Sequence, residues 1–311
     1  MTGRAVAPDS QLRDLAAPAD RVPWEQREVV VAARLLARNR LAIAGALVYL
    51  AIVALAVLAP VIAPHDPDLQ VLSNRLAPPA FLPDGNADHL LGADNLGRDI
   101  LSRLIHGARV SIIVGLVTVT FCALFGSFLG AIGGYVGGRV DYLLVLFLDI
   151  WMAFPFLVLA IAMSAVLGPG LLNLILALVL SGWVAYCRIV RGEVMSLRER
   201  DFVVAARVVG ASGRRIIARH LIPNVLGPIL VLATLEMATV IIAEAALSFL
   251  GLGVQASQPT WGGMLNDGRA LLQQAWWLAT FPGVAISILV LSINLFGDGL
   301  RDVLDPRLRG R

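Results

Sequence analysis

Of 311 residues, 58% are hydrophobic and only 15% are charged, against about 25% charged in a typical soluble domain, so a soluble fold is excluded. The formal net charge is +3, and every positive side chain is an arginine, with no lysine anywhere. Lacking lysine, the chain has neither a G-x-x-x-x-G-K-[ST] phosphate loop nor a Schiff-base amine, and any ATP must be bound by another chain.

Residues up to Ala19 are rich in Ala, Pro and polar groups, a composition that favours disorder. From Trp24 to Arg38 the pattern turns basic and amphipathic, suiting either a helix on the inner membrane face or a simple run-in to the first span. Apolar runs of membrane length follow at Leu41–Ala63, Val110–Tyr135, Tyr142–Leu167, Leu171–Val190, Val225–Leu252 and Phe281–Phe296. A span needs about 20 residues, so six helices are expected, the last from the shortest run. The first run begins too late for a cleaved signal peptide and reads as a retained anchor.

An acidic loop with Asp66, Asp68, Asp84, Asp88, Asp94 and Asp99 separates the first two runs. In the second, Gly126, Gly130 and Gly134 recur on one helix face, where they allow a neighbouring backbone to come close. Pro155 and Pro228 should kink the third and fifth spans. Between the fourth and fifth lies DFVVAARVVGASGRRIIARHLIP, Asp201 to Pro223, carrying Arg207, Arg214, Arg215 and Arg219. It reads as two short helices: Asp201 caps the first, Gly210 ends it, Ser212 caps the second and Pro223 closes the unit. Such a basic helix pair either grips nucleic acid, transmits motion from another protein, or is an idle loop. Beyond the fifth run, Val254–Thr280 holds Trp261, Trp276 and Trp277, the last two placed for an interfacial aromatic belt. At the end of the last run, Asp298, Arg301 and Asp305 have the spacing of an ion-pair ladder.

With the N-terminus inside, the cytoplasmic segments carry twenty arginines and the opposite segments five, a positive-inside signal that puts both termini in the cytoplasm. Asp149, Glu236 and Glu244 fall within predicted spans, where a charge costs several kcal/mol unless paired or wet. Each should therefore face the bundle interior. Glu236 and Glu244 either line a path or are structural, whereas Asp149 reads as structural. Cys122 and Cys187 support neither a disulfide framework nor a zinc site. His65, His89, His106 and His220 sit in predicted loops or at segment ends and read as surface residues without a ligand role. No hydrolase or metalloprotease signature occurs.

Four stretches together resemble the C-type membrane subunit of dipeptide and oligopeptide ABC importers, whose relatives also import nickel. LGADNLGRDILSRLIHGARVS, Leu91 to Ser111, is similar to L-G-T-D-x-x-G-R-D-x-x-S-R-x-x-x-G-x-R-x-S, with Ala93 in place of the threonine. The loop from Asp201 resembles E-A-A-x-x-x-G-x(9)-I-x-L-P: Ala205, Ala206, Gly210 and Pro223 match, while Val204 replaces the glutamate and His220 the isoleucine. ALSFLGLGVQASQPTWGGML, Ala246 to Leu265, and NLFGDGLRDVLDPRLR, Asn294 to Arg309, complete the set.

The resemblance implies an all-α polytopic membrane protein with a type I ABC importer (MetI-like) transmembrane domain. Residues 1–40 would form a cytoplasmic tail, 41–108 the first helix and external loop, and 109–311 the core, with a coupling loop at about 191–223. It also implies a homologous B-type subunit, two ATP-binding subunits, an extracytoplasmic solute-binding protein and membrane lipid as partners, with no nucleic acid and no cofactor. Asp201, Ala205, Ala206, Gly210, Arg214 and Pro223 would form the ATPase-coupling loop. Glu236, Glu244, Trp261 and Asp149 are the candidates for the path and its gate, Trp261 for the outer gate. A peptide is the expected cargo. Alternatives are nickel or another small solute, an ion-coupled secondary carrier, or a membrane enzyme.

Overall fold

A computed structural model describes residues 39–85, 87–254 and 258–304. The tail and its amphipathic stretch lie outside these residues, as does Asp305 of the expected ladder. Asp298 and Arg301 are both exposed and form no ion pair with each other. The described residues are helical throughout, apart from loops and one antiparallel bridge between Ala93 and Asp99.

The first span is α1 (Arg40–Val57), begun where Asn39 Oδ1 accepts from Ala42 N at 3.2 Å. The short α2 (Ala59–Ile62) carries Pro60 in its first turn and ends the apolar run, and a long loop leads to α3 (Ile100–Val136). At 37 residues and about 1.5 Å per residue, α3 far exceeds the roughly 30 Å hydrocarbon layer. It begins ten residues before the apolar run because Asp99 caps it, accepting from Ser102 N at 2.8 Å. Arg103, His106 and Arg109 interrupt the hydropathy without interrupting the helix.

α3 packs along α6 (Leu171–Leu197) through the glycine stripe. A Cβ at Gly126, Gly130 or Gly134 would meet the carbonyl oxygens of Trp183, Cys187 and Arg191 at 2.4, 2.4 and 2.7 Å. The stripe therefore sets a backbone-to-backbone contact at one turn per step, the close approach that small residues permit in lipid. Apolar burial cannot drive helix association there, so packing must.

The third expected span is broken. α4 (Gly138–Met152) and α5 (Phe156–Leu167) bend by 81° at Pro155, which starts α5. Proline cannot donate to the preceding turn, and its ring clashes with the carbonyl four residues back. The pair still crosses the bundle. α4 starts beside the end of α3, where Asp141 is gripped by Arg191, with Nη2 to Oδ2 at 2.7 Å. α5 ends beside Gly170, whose N–H donates to Gly253 O at 3.0 Å at the opposite end. Five unbroken helices are long and apolar enough to span, and the bent pair, counted as one crossing, makes the six expected.

After α6 come α7 (Asp201–Val208), α8 (Gly213–Ile216) and a π-helical turn (Ile217–Leu221) that runs into α9 (Ile222–Phe249). α10 (Trp261–Gly268) lies across the head of the bundle, and α11 (Trp277–Leu304) returns through it. The shortest expected span thus becomes a 28-residue helix, because Pro282 sits early in it and Asp298 and Arg301 stay on its exposed side. Gly45 of α1 abuts Ser292 O of α11, and α3, α6, α9 and α11 together enclose the core.

Candidate coupling and translocation sites

The arginine-rich end of the bundle is organised by the turn after α7. Gly210 has φ +86 and follows the C-cap Val209; its N–H donates to Arg207 O at 3.0 Å, and Ala211 N–H donates to Ala206 O at 3.0 Å. This pair of bonds is a Schellman cap, which needs a left-handed residue and so favours glycine. A Cβ at Gly210 would meet nothing within 4 Å, so only the backbone conformation demands glycine there.

Two details differ from the expected helix pair. Arg200, not Asp201, is the N-cap of α7; Asp201 occupies the first helical turn, where its charge suits the helix dipole. Pro223 does not close the unit. It sits in the first turn of α9, directly after the π turn, and α8 through α9 run on as one long span. The wider turn makes room for the missing N–H, and Asn224 Nδ2 donates to His220 O at 2.6 Å. Ser212 caps α8 by position and its carbonyl accepts from Ile216 N at 3.0 Å, but its side chain accepts no capping hydrogen bond.

Val203, Ile216 and Leu221 are buried and anchor this unit, while Gly213 and Arg207 lean on the ring of Tyr135 at the end of α3. Ala206 packs partly against the core; Ala205 faces outward, with Arg214 and Asp201 also exposed. Beside Ala205, Phe202 and Val204 are exposed, and Val208 and Val209 are 82% and 87% exposed. The outward surface of α7 is therefore mainly apolar rather than basic.

At membrane depth the three carboxylates part ways. Glu244 is wholly enclosed and accepts from Ser111 Oγ of α3 and Ser248 Oγ, each at 2.9 Å. Glu236 instead borders a cavity of about 340 Å³ at the α4–α5 break, lined also by Trp151, Phe154, Pro155, Ser181 and Arg188. Asp149 does not face the interior: it is exposed on α4. The apolar run concealed this, since hydropathy records depth and not the side from which a helix is covered. The aromatic props of the break were not foreseen either. Phe147 stacks on Trp183 with centroids 5.9 Å apart, and Trp151 meets Trp183 edge-on at 6.1 Å.

The opposite end is tied by buried charge. Asp94 accepts from Leu96 N and Arg98 N at 2.8 and 2.9 Å, and from Arg98 Nε at 2.6 Å. Gly97, at φ +74, brings the turn against Val71 O, leaving no room for a side chain. Arg98 Nη2 reaches Asp267 of α10 at 3.4 Å, and buried Arg103 donates to Pro67 O at 3.1 Å. Burial pushes the Asp267 carboxyl above its ordinary range, against the opposing pull of Arg98 and Arg103. Trp261 is buried, donates from Nε1 to Leu104 O at 2.8 Å and lies flush against Gly107. Trp276 is exposed as an interfacial residue should be, but Trp277 is buried, its Nε1 donating to Ala93 O at 3.4 Å. The same end gathers His65, His89 and Asp99, two of them histidines expected to be isolated on the surface.

Residues 123–310 match the family described as the binding-protein-dependent transport system inner membrane component. Residues 30–79 match the N-terminal TM domain of oligopeptide transport permease C. The chain is 45% identical over 273 residues to the di/tripeptide transport system permease protein of Pseudomonas aeruginosa, covering 88% of this chain and 90% of that one. It is 43% identical over 287 residues to the dipeptide transport system permease protein of Alkalihalophilus pseudofirmus, covering 92% and 91%. Against the Bacillus subtilis dipeptide permease the figures are 40% over 277 residues, covering 89% and 85%. In fold it is similar to a chain of the MetNI methionine ABC transporter solved in inward-facing conformations, with TM-score 0.54, 19% identity, and coverage of 65% of this chain and 96% of that one. The chain belongs to the family of binding-protein-dependent transport system inner membrane components, as a multi-pass C-type permease subunit of an ABC importer whose ATPase is a separate subunit.

Proposed function

We propose that this subunit forms half of a peptide translocation path and that α7, with its outward face around Ala205, Val208 and Val209, is the seat of the ATPase. The observation that carries the coupling role is the construction of that unit: an exposed apolar helix rigidly ended by the Gly210 cap and continuous, through α8 and the π turn, with a full membrane span. A push on α7 is thereby delivered along α9 and, through the anchoring of Arg198 Nη1 on Gly134 O at 3.0 Å, to α3. Rocking of packed helices is the ordinary response to such a push. A DNA-binding role fits poorly, since the exposed side chains of α7 are mainly apolar and both ends are tethered to spans.

The peptide cargo rests on the curated relatives, which are dipeptide and di/tripeptide permeases by name. A homologous B-type subunit would cover the exposed apolar side of α4 and close the cavity beside Glu236, and a solute-binding protein would dock on the end bearing α10. Glu244 is a tie between α3 and α9 rather than a contact for cargo, whereas Glu236 and Arg188 are placed to face it. Trp261 positions α10 as part of the outer gate. Both termini and α7 would lie in the cytoplasm, as the arginine distribution favours.

Substituting Ala205→Trp tests the seat. ATPase subunits should fail to copurify and uptake of a labelled dipeptide should fall, while the chain still inserts; normal copurification and uptake would remove α7 from the coupling role. Orientation is tested separately by an impermeant thiol reagent on intact cells, after Cys122 and Cys187 are replaced. A cysteine at Leu69 should label and one at Ser212 should not, and the reverse would invert the topology.

A further inference from the structure

Three segments of the outer end meet at His65, His89 and Asp99, whose potential ligand atoms all lie within 4.8 Å of one another. His65 follows α2, His89 belongs to the long loop, and Asp99 heads α3. His89 Nδ1 is 3.0 Å from Asp99 Oδ1, and His65 Nδ1 is 3.8 Å from Asp99 Oδ2. The two imidazole rings have centroids 5.2 Å apart. Donors about 2.0–2.2 Å from a four-coordinate ion lie roughly 3.3 Å from each other, so these separations bracket the spacing a metal would impose.

A second observation points the same way. His65 Nδ1 is itself enclosed and has no hydrogen-bond partner, although the side chain as a whole is 34% exposed; an enclosed polar atom rarely goes unpaired without a reason. It borders a cavity of about 170 Å³ shared with His89, Asp99, Asn74 and Asp88, large enough for an ion and its water.

The surroundings hold the donors in place. Ser102 Oγ donates to Asp99 Oδ2 at 2.7 Å and accepts from His65 N at 3.0 Å, fixing carboxylate and histidine backbone together. Asn74 Nδ2 lies 3.0 Å from His89 Nε2. Metal-binding histidines are commonly oriented by such a contact at the other ring nitrogen.

We propose that His65, His89 and Asp99 form a site for a divalent transition cation of the zinc type, completed by water. Two imidazoles and one carboxylate suit zinc, cobalt or nickel rather than calcium or magnesium, which prefer oxygen ligands. On binding, the ring proton of His89 moves from Nδ1 to Nε2, where the turned Asn74 amide accepts it through its oxygen. The ion would replace the His89–Asp99 hydrogen bond and pin the loop to the head of α3.

The test uses the full-length chain, purified in detergent without a polyhistidine tag and washed with chelator. Titrated with Co2+ alone, it should take up one equivalent and develop the visible absorption of a four-coordinate site, which Zn2+ then displaces. His65→Ala is the informative variant, because His65 makes no side-chain hydrogen bond and the fold should tolerate its loss. Binding should weaken by at least about tenfold, and the rise in Tm that Zn2+ gives the native chain should vanish. His220→Ala, at the other end of the bundle, should bind as the native chain does. Less than one equivalent bound by the native chain, unchanged binding in His65→Ala, or an equal loss in His220→Ala would each overturn the site.

Discussion

The two ends of the bundle are built on opposite plans. At the α10 end, buried charges are spent on one another: Asp94 pairs with Arg98 and with Arg103, and Arg98 also reaches the half-exposed Asp267. Two tryptophans are locked there by their N–H groups. At the α7 end, three buried apolar residues anchor a unit whose outer side chains are apolar and exposed. One end completes itself, and the other is shaped for something to complete it. A membrane protein's stability and its coupling can therefore be lost independently, at opposite ends.

The sharpest way to break this contrast is Arg98→Ala. It removes the 2.6 Å partner of buried Asp94, leaving only Arg103 Nε at 3.7 Å, and the contact to Asp267, so unfolding in detergent should become easier by up to about 3–5 kcal/mol, the usual cost of removing one member of a buried pair. A change under about 1 kcal/mol would mean the α10 end is not held by charge. Next in size is Glu244→Leu, which orphans the hydroxyls of Ser111 and Ser248 and should cost about 1–3 kcal/mol for each. Glu244→Gln, able to accept from one serine and donate to the other, should keep stability and uptake. Loss of uptake with normal stability in the glutamine variant would make Glu244 a path residue.

Gly210→Val comes third. The side chain meets no neighbour, so only the left-handed backbone is penalised, by about 1–3 kcal/mol confined to the turn. The spans should insert, yet stimulation of the ATPase by loaded binding protein and dipeptide uptake should both collapse. Normal stimulation would show that the cap does not transmit force. The smallest effect on folding belongs to Val208→Asp, within about 0.5 kcal/mol as for exposed positions generally. It should nonetheless abolish copurification of the ATPase, and retention of the ATPase would erase the difference between the ends.

Much of the fold was legible because lipid leaves few options. Every backbone group must be satisfied within a helix, so six apolar runs of sufficient length announced the spans. The glycine stripe of α3 named its own packing face, since four-residue spacing of small residues has one geometric use. Gly210 was legible as a helix end because no other residue takes that conformation cheaply. Helix ends were less so. Arg103 and Asp298 interrupt hydropathy, which tracks the membrane, while α3 and α11 continue beyond it.

The candidate site was only partly readable. Glu236 and Glu244 look alike in sequence, both at membrane depth, and only their neighbours separate them: a cavity for one and two serines for the other. Trp276 and Trp277 are adjacent, and only the second, at the head of α11, is turned into the core; Trp276 stays in the turn before it. His65 and His89 lie far enough apart that no spacing rule joins them to Asp99; the loop must fold first.

The sequence by itself determined the solvent, the number of spans, the turn at Gly210 and the partner-dependent character of a chain without an ATP site. Those follow from composition and local backbone chemistry, which act over a few residues. Only the tertiary structure decided that α4 and α5 share one broken crossing, that α8 and α9 run on past Pro223, and which carboxylates face a cavity. These depend on contacts between residues distant in the chain, where close packing rather than hydropathy chooses the neighbour.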